Sequence, residues 1–226
     1  MTKTAVILSG CGHLDGAEVR EAVLSLLYLD QQGAEVQCFA PDMAQTQVIN
    51  HLTGQEAPGE TRNVLVEAAR IARGNIKKLA ELKAADFDAL VIPGGFGVAK
   101  NLSDLAFKGA EASVQPEFKR VVLEFLDQQK PIGTICIAPA VLAAAVSGKY
   151  QPTVTIGEDA GTTAAIEAFG GHHQNCASSG YVYDDQLKIA SCSAYMRDDS
   201  LAEIAKGIEQ VVKKVISTAK TQAKAA

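Results

Sequence analysis

The sequence predicts an α/β fold with a mostly parallel central sheet covered by helices on both faces. Two observations predict it. Short β-rich runs alternate with longer stretches of helical periodicity, the pattern of consecutive strand–helix–strand units. The 226 residues also contain no repeat, low-complexity tract or linker that would divide them, and one α/β domain of this length is routine. One domain is expected over 1–221, followed by a frayed tail over 222–226.

The elements follow in order. Ala5 to Leu8 is a short strand closed by Ser9-Gly-Cys-Gly12. Glu18 to Gln32 reads as an amphipathic helix, with Val19, Val23, Leu26 and Leu27 at helical spacing and Gly33 as its stop. Glu35 to Ala40 is a second strand, closed by Pro41-Asp42, and Asn50 to Glu60 reads as a loop. Thr61 caps a helix to about Arg73. Ala89 to Ile92 is a third strand, ending in Pro93-Gly94-Gly95. Glu117 to Gln129 is a helix, Ile132 to Ile135 a fourth strand, and Ala138 to Val146 a helix. Thr153 to Ile156, Tyr181 to Tyr183 and Lys188 to Ser191 are further short strands. Ser200 to Ala219 is a terminal helix with Leu201, Ile204, Ile208, Val211 and Val215 on one face.

Composition narrows the function classes. The net charge of −5, the absence of any basic cluster beyond Lys77-Lys78 or Lys213-Lys214, and 5% aromatic residues argue against nucleic acid as a partner. No apolar run approaches bilayer-spanning length, and the first residues read as a strand rather than a signal peptide, so no membrane partner and a cytoplasmic location are expected. Cys11, Cys38, Cys136, Cys176 and Cys192 form no Cys-x-x-Cys pair, which leaves neither a disulfide framework nor a zinc site. No cofactor or metal is expected.

In open parallel sheets ligands bind beyond the carboxyl ends of the strands. There the segments after the first, third and fourth strands converge if those strands are neighbours. Cys136 stands at a strand-to-helix elbow, in Pro131-Ile-Gly-Thr-Ile-Cys-Ile-Ala-Pro-Ala140. Such a turn lifts a nucleophile above the sheet edge, and the following helix N-terminus favours thiolate over thiol. The bare amides of Gly95 and Ile137 are suited to an oxyanion hole. Glu18 and Glu21 open the first helix one turn apart. A buried carboxyl beside a thiolate has a raised pKa and can exchange protons with sulfur and substrate; its partner complements the helix dipole. His173, of the pair His172-His173, is the candidate imidazole, with His13 in the first loop its rival. His51, in the apparent loop, has nothing to recommend it.

Leu8-Ser-Gly-Cys-Gly-His-Leu-Asp-Gly-Ala-Glu-Val-Arg-Glu21, Pro93-Gly-Gly-Phe-Gly-Val-Ala-Lys-Asn-Leu102 and Thr134-Ile-Cys-Ile-Ala-Pro-Ala140 resemble the ThiJ/PfpI group of the class I glutamine-amidotransferase-like superfamily. Ile49-Asn-His-Leu-Thr-Gly54, Thr61-Arg-Asn-Val-Leu65 and Ala194-Tyr-Met196 resemble its branch of glyoxalases once linked to isoprenoid biosynthesis. The resemblance spans about Thr4 to Ala219. It implies a flavodoxin-like three-layer sandwich, a nucleophile at Cys136 and a family glutamate, which falls on Glu21 when counted back from Gly33. It also implies donors at Gly95 and Ile137, with Gly94, Glu18, His13 and Asn101 as substrate-binding candidates, and a homodimer. Ile137 stands where many relatives have His, and His172-His173 precede Gln174-Asn175 rather than an acid, so glutaminase activity is not expected.

The expected function is a glutathione-independent glyoxalase converting glyoxal or methylglyoxal to a 2-hydroxy acid through a cysteine hemithioacetal. The alternative is a non-catalytic redox-sensing or interaction protein using the same thiol. A third reading is nucleotide binding, from Gly10-Cys-Gly12 and Gly16 after the first strand and Asp42 after the second, an imperfect dinucleotide fingerprint.

Overall fold

A computed structural model describes residues 1–225. Strand β1 (Lys3–Ile7), helix α1 (Val19–Gln31) and β2 (Glu35–Ala40) are followed by a short hairpin, β3 (Ile49–Asn50) and β4 (Gln55–Glu56). Then come α2 (Val64–Ile71), β5 (Ile76–Lys78), β6 (Ala89–Ile92), α3 (Phe96–Lys100), α4 (Leu105–Lys108), α5 (Pro116–Asp127) and β7 (Ile132–Ile135). The chain continues through α6 (Ala138–Val146), β8 (Thr153–Val154), α7 (Ala160–Ala168), β9 (His172–His173), β10 (Val182–Asp184), β11 (Ile189–Cys192) and α8 (Leu201–Ala225).

Seven strands form the main sheet in the order β10-β11-β7-β6-β1-β2-β5. Every neighbouring pair is parallel except β10–β11. The order reverses between β1 and β6, because β2 and β5 lie on one side of β1 while β6 and β7 lie on the other. That reversal opens the crevice in which α/β proteins bind ligands, and it makes the first, third and fourth predicted strands adjacent.

Alternate residues feed two cores. Ala5, Ile7, Leu90 and Ile92 pack with α5, α6 and α7, whereas Val6, Leu8, Ala89 and Val91 pack with α1, α2 and α8. This is the three-layer sandwich expected from the sequence. All nine residues of α6 are buried. Helix α8 lies directly on β7 at Gly133, where an added Cβ would stand 3.0 Å from Val211 Cγ1.

The structure corrects several local readings. The apolar stripe of α1 faces outward: Val19, Val23 and Leu27 are exposed, and Glu21, Ala22, Ser25 and Leu29 face the core. Spacing alone marks an apolar face without saying which side the sheet occupies. Asn63, not Thr61, caps α2, its Oδ1 accepting from the Val66 amide at 3.1 Å. The apparent loop after Asn50 contains the β3–β4 hairpin. Strand β5 and helix α7 were not anticipated, and β8 leaves the main sheet to pair with β9. The expected tail is helical through Ala225, with the Gln222 amide donating to the Gln129 carbonyl at 2.7 Å; residue 226 lies outside the described residues.

Candidate active site

The elbow after β7 puts Cys136 at φ +62°, in the left-handed region. That conformation costs a non-glycine residue of order 1–3 kcal/mol and persists only where the surroundings impose it. Here the Cys136 amide donates to the Cys192 carbonyl at 2.9 Å, continuing the β7–β11 pairing through the turn, and Pro139 opens the first turn of α6. The side chain is 7% exposed.

Glu21 reaches the thiol from α1. Its carboxyl is fully buried beside Cys136. Glu21 Oε2 accepts from the Gly94 amide at 2.9 Å, and Oε1 from the Tyr195 amide at 3.3 Å. Glu18 is the α1 cap, its carboxylate accepting from the Glu21 amide at 2.6 Å, while its own amide donates to the Gly94 carbonyl at 2.9 Å. The two acids therefore divide the roles, one at the helix end and one at the sulfur.

Gly94 has to be glycine. A Cβ there would lie 2.4 Å from Cys136 Cβ and 2.7 Å from Glu21 Oε2. Gly95, at φ +98°, lies against the first loop, where a Cβ would approach Glu18 N to 2.3 Å. Gly16 and Gly97 meet in the same way, a Cβ on Gly97 standing 2.5 Å from Gly16 Cα. At Gly16, then, the glycine that suggested a dinucleotide fingerprint serves loop-to-loop packing. Asp42 is committed to Lys78 Nζ and to the Asn63 amide, both at 2.9 Å.

Burial pushes the Glu21 carboxyl up to about 8, reinforced by the Glu18 charge and opposed by the Tyr195 amide, the Cys136 thiol and the Gly94 amide. Burial also pushes the Cys136 thiol well above its ordinary value, followed by the charge of Glu21; the Gly95 and Ile137 amides pull it back. The expected net lowering by the helix end is thus outweighed by desolvation. Below pH of about 8 Glu21 holds its proton, which removes the charge that opposes a thiolate.

Cys136, Gly95, Ile137, Glu18 and His13 line one cavity of about 420 Å³, with Glu21 and Gly94 packed behind the sulfur. Phe96, Asp159, Thr162, Tyr195 and Met196 complete it. His173 is not among the lining residues; it pairs with Val154 on the β8–β9 sheet, and its Nε2 is buried without a hydrogen-bond partner. Asn101 is a brace rather than a substrate ligand. Its amide donates to the Ser9 and Asp15 carbonyls at 3.0 and 2.9 Å, and its oxygen accepts from the Thr46 amide at 3.0 Å.

Sequence reasoning missed His51. Its ring meets His13 edge-on at 5.1 Å, and both line an adjoining groove of about 520 Å³ with Glu18, Arg20 and Tyr195. His51 Nε2 accepts from the Leu14 amide at 3.2 Å, so Nδ1 carries the proton toward the Ile49 carbonyl at 3.0 Å. Asp159 and Thr162 were also missed, although Asp159 caps α7 by accepting from the Thr162 amide at 2.7 Å, a capping signal readable before Ala160.

The chain is 44% identical over 223 residues to the human protein named glutamine amidotransferase-like class 1 domain-containing protein 3, mitochondrial, covering 95% of this chain and 82% of that one. It is 31% identical over 231 residues to the zebrafish (Danio rerio) ES1 protein, mitochondrial, covering 95% and 85%. A crystal structure of an isoprenoid biosynthesis protein with amidotransferase-like domain from Ehrlichia chaffeensis superposes with a TM-score of 0.90 at 46% identity, covering 96% of this chain and 99% of that one. A ThiJ/PfpI domain protein from Brachyspira murdochii, at 15% identity, TM-score 0.58 and 96% coverage of each chain, shares the fold. No helix among the described residues is long and apolar enough to cross a membrane. Residues 11–153 match the DJ-1/PfpI family profile, and the chain belongs to that family.

Proposed function

We propose that the protein is a cofactor-independent glyoxalase acting on 2-oxoaldehydes. What carries the reading is one observation: a thiol, a carboxyl with a pKa of about 8 and two backbone amides meet at one wall of the cavity. The Cys136 sulfur adds to the aldehyde carbon, its proton passing to the new hydroxyl, to give a hemithioacetal. Glu21 in its carboxylate form takes the proton from that carbon, and the electron pair moves into an enediol. The Gly95 and Ile137 amides face the oxygen on which charge develops. Glu21 returns the proton to the second carbon, giving a 2-hydroxy thioester, which water hydrolyses to the 2-hydroxy acid and the free thiol. The sequence is an internal redox rearrangement plus hydrolysis, so no external oxidant or reductant enters.

The raised pKa of Glu21 suits a group that must both accept and donate a proton near neutrality. The test is product formation from glyoxal and methylglyoxal without glutathione, by wild type, Cys136→Ala and Cys38→Ala. Cys38 is the control, a buried thiol on β2 pushed up to about 11. Glycolate or lactate from wild type and Cys38→Ala alone is the expected result. Equal turnover in both variants rejects the mechanism. Absence of product from all three transfers the reading to a redox or interaction role for Cys136.

A further inference from the structure

Methylglyoxal has five heavy atoms, yet the cavity above Cys136 measures about 420 Å³. Phe96, Ile137 and Thr162 also line a neighbouring space of about 160 Å³, an apolar extension of that wall continued by Ala99, Leu105 and Ala165. No charged side chain lines that extension. The groove that shares His13, Glu18 and Tyr195 with the cavity carries ionisable side chains instead, adding Arg20 and His51.

Ile137 decides how the two spaces relate to the chemistry. Its amide faces the sulfur, and its half-buried side chain lines both the cavity and the extension. An aldehyde carbon bonded to Cys136 Sγ and held by the Gly95 and Ile137 amides has its second carbon within reach of the Phe96–Ile137 wall. A hydrogen or methyl there leaves the apolar extension unfilled; a longer apolar group enters it and removes its lining from water.

We infer that the preferred substrates are 2-oxoaldehydes whose second carbon carries an extended apolar substituent, aryl or medium alkyl, seated between Phe96, Leu105 and Ala165. The inference rests on the glyoxalase reading and narrows its substrate class.

Gly161 permits a clean test. It lines the extension on α7, and a Cβ there meets nothing nearer than Asp159 Oδ1 at 3.6 Å, so a larger side chain enters open space. Ala106, exposed on α4 at the same extension, provides a second filling site. The measurement is kcat/KM for glyoxal, methylglyoxal, phenylglyoxal and 3-deoxyglucosone with wild type, Gly161→Leu and Ala106→Phe. The expected wild-type preference for phenylglyoxal over glyoxal is at least tenfold, within the range an apolar pocket supplies. Filling the extension in either variant should collapse that ratio at least tenfold, which also separates pocket binding from the intrinsic reactivity of the aldehydes. Turnover of glyoxal with no phenylglyoxal preference, or a preference that neither variant alters, overturns the inference and leaves the glyoxalase reading standing. A preference for the polyhydroxylated 3-deoxyglucosone overturns it in favour of the groove lined by Arg20 and His51. Absence of Cys136-dependent turnover of any aldehyde overturns both.

Discussion

The Cys136 elbow and the His172–His173 strand both carry residues able to do chemistry, and both lie beside short strands, but their surroundings differ. Cys136 ends a central strand of the main sheet, where three loops meet and every neighbour is committed: Glu21 to the sulfur, Gly94 to Glu21, Glu18 to Gly94. His173 lies in a two-stranded sheet outside the seven-stranded one and is absent from the cavity wall. Position at the carboxyl ends of the central parallel strands, beside the reversal between β1 and β6, separates the Cys136 elbow from the β8–β9 pair.

The sharpest way to break this comparison is to remove Glu21. Glu21→Gln keeps an acceptor for the Gly94 amide but cannot cycle a proton, and turnover should fall by about 10²–10⁴. A steady-state profile showing less than tenfold loss would place the proton transfer elsewhere, with His13 the next group along the wall.

A second prediction concerns stability. The Glu21 carboxyl is raised to about 8 in the folded protein from an ordinary value of 4.5, so the native state binds the extra proton between those values. Its contribution is fully present below about 4.5 and is lost as pH rises through about 8. At about 1.4 kcal/mol for each pH unit, wild type should lose several kcal/mol of stability across that window relative to Glu21→Gln. Urea midpoints at pH 5 and pH 8 for both proteins measure the difference; parallel curves would show that Glu21 titrates normally.

Gly94→Ala should cost about 1–3 kcal/mol, the usual scale of overpacking, because its Cβ would meet Cys136 Cβ at 2.4 Å. Urea denaturation gives the stability, and thiol titration with a disulfide reagent reports whether the sulfur is displaced. The smallest effect belongs to the other member of the comparison. His173→Ala should leave turnover within about twofold, since a surface or core substitution away from a site seldom acts on it; a loss comparable to that of Glu21→Gln would bring β9 into the mechanism.

Much of this was legible along the chain. The runs before Gly12, Gly95 and Cys136 marked three strands whose ends converge if they are neighbours, and the family resemblance, counted back from Gly33, put the glutamate on Glu21 rather than Glu18. The outward face of α1 was not legible, because Val19, Val23 and Leu27 form as good a periodic stripe as any buried face. Nor was the bracing role of Asn101, which depends on carbonyls 86 and 92 residues away.

The alternation of strands and helices, the elbow at Cys136 and the glycines that let loops approach are written into the sequence, all properties of neighbours a few residues apart. Contacts across the fold settled which candidate histidine lines the cavity, that Ile137 borders an apolar space beside it, and that desolvation outweighs the helix end and the amide donors at Cys136. Those outcomes depend on strand order and burial, and both arise from contacts between segments far apart in the chain, where local propensity has no reach.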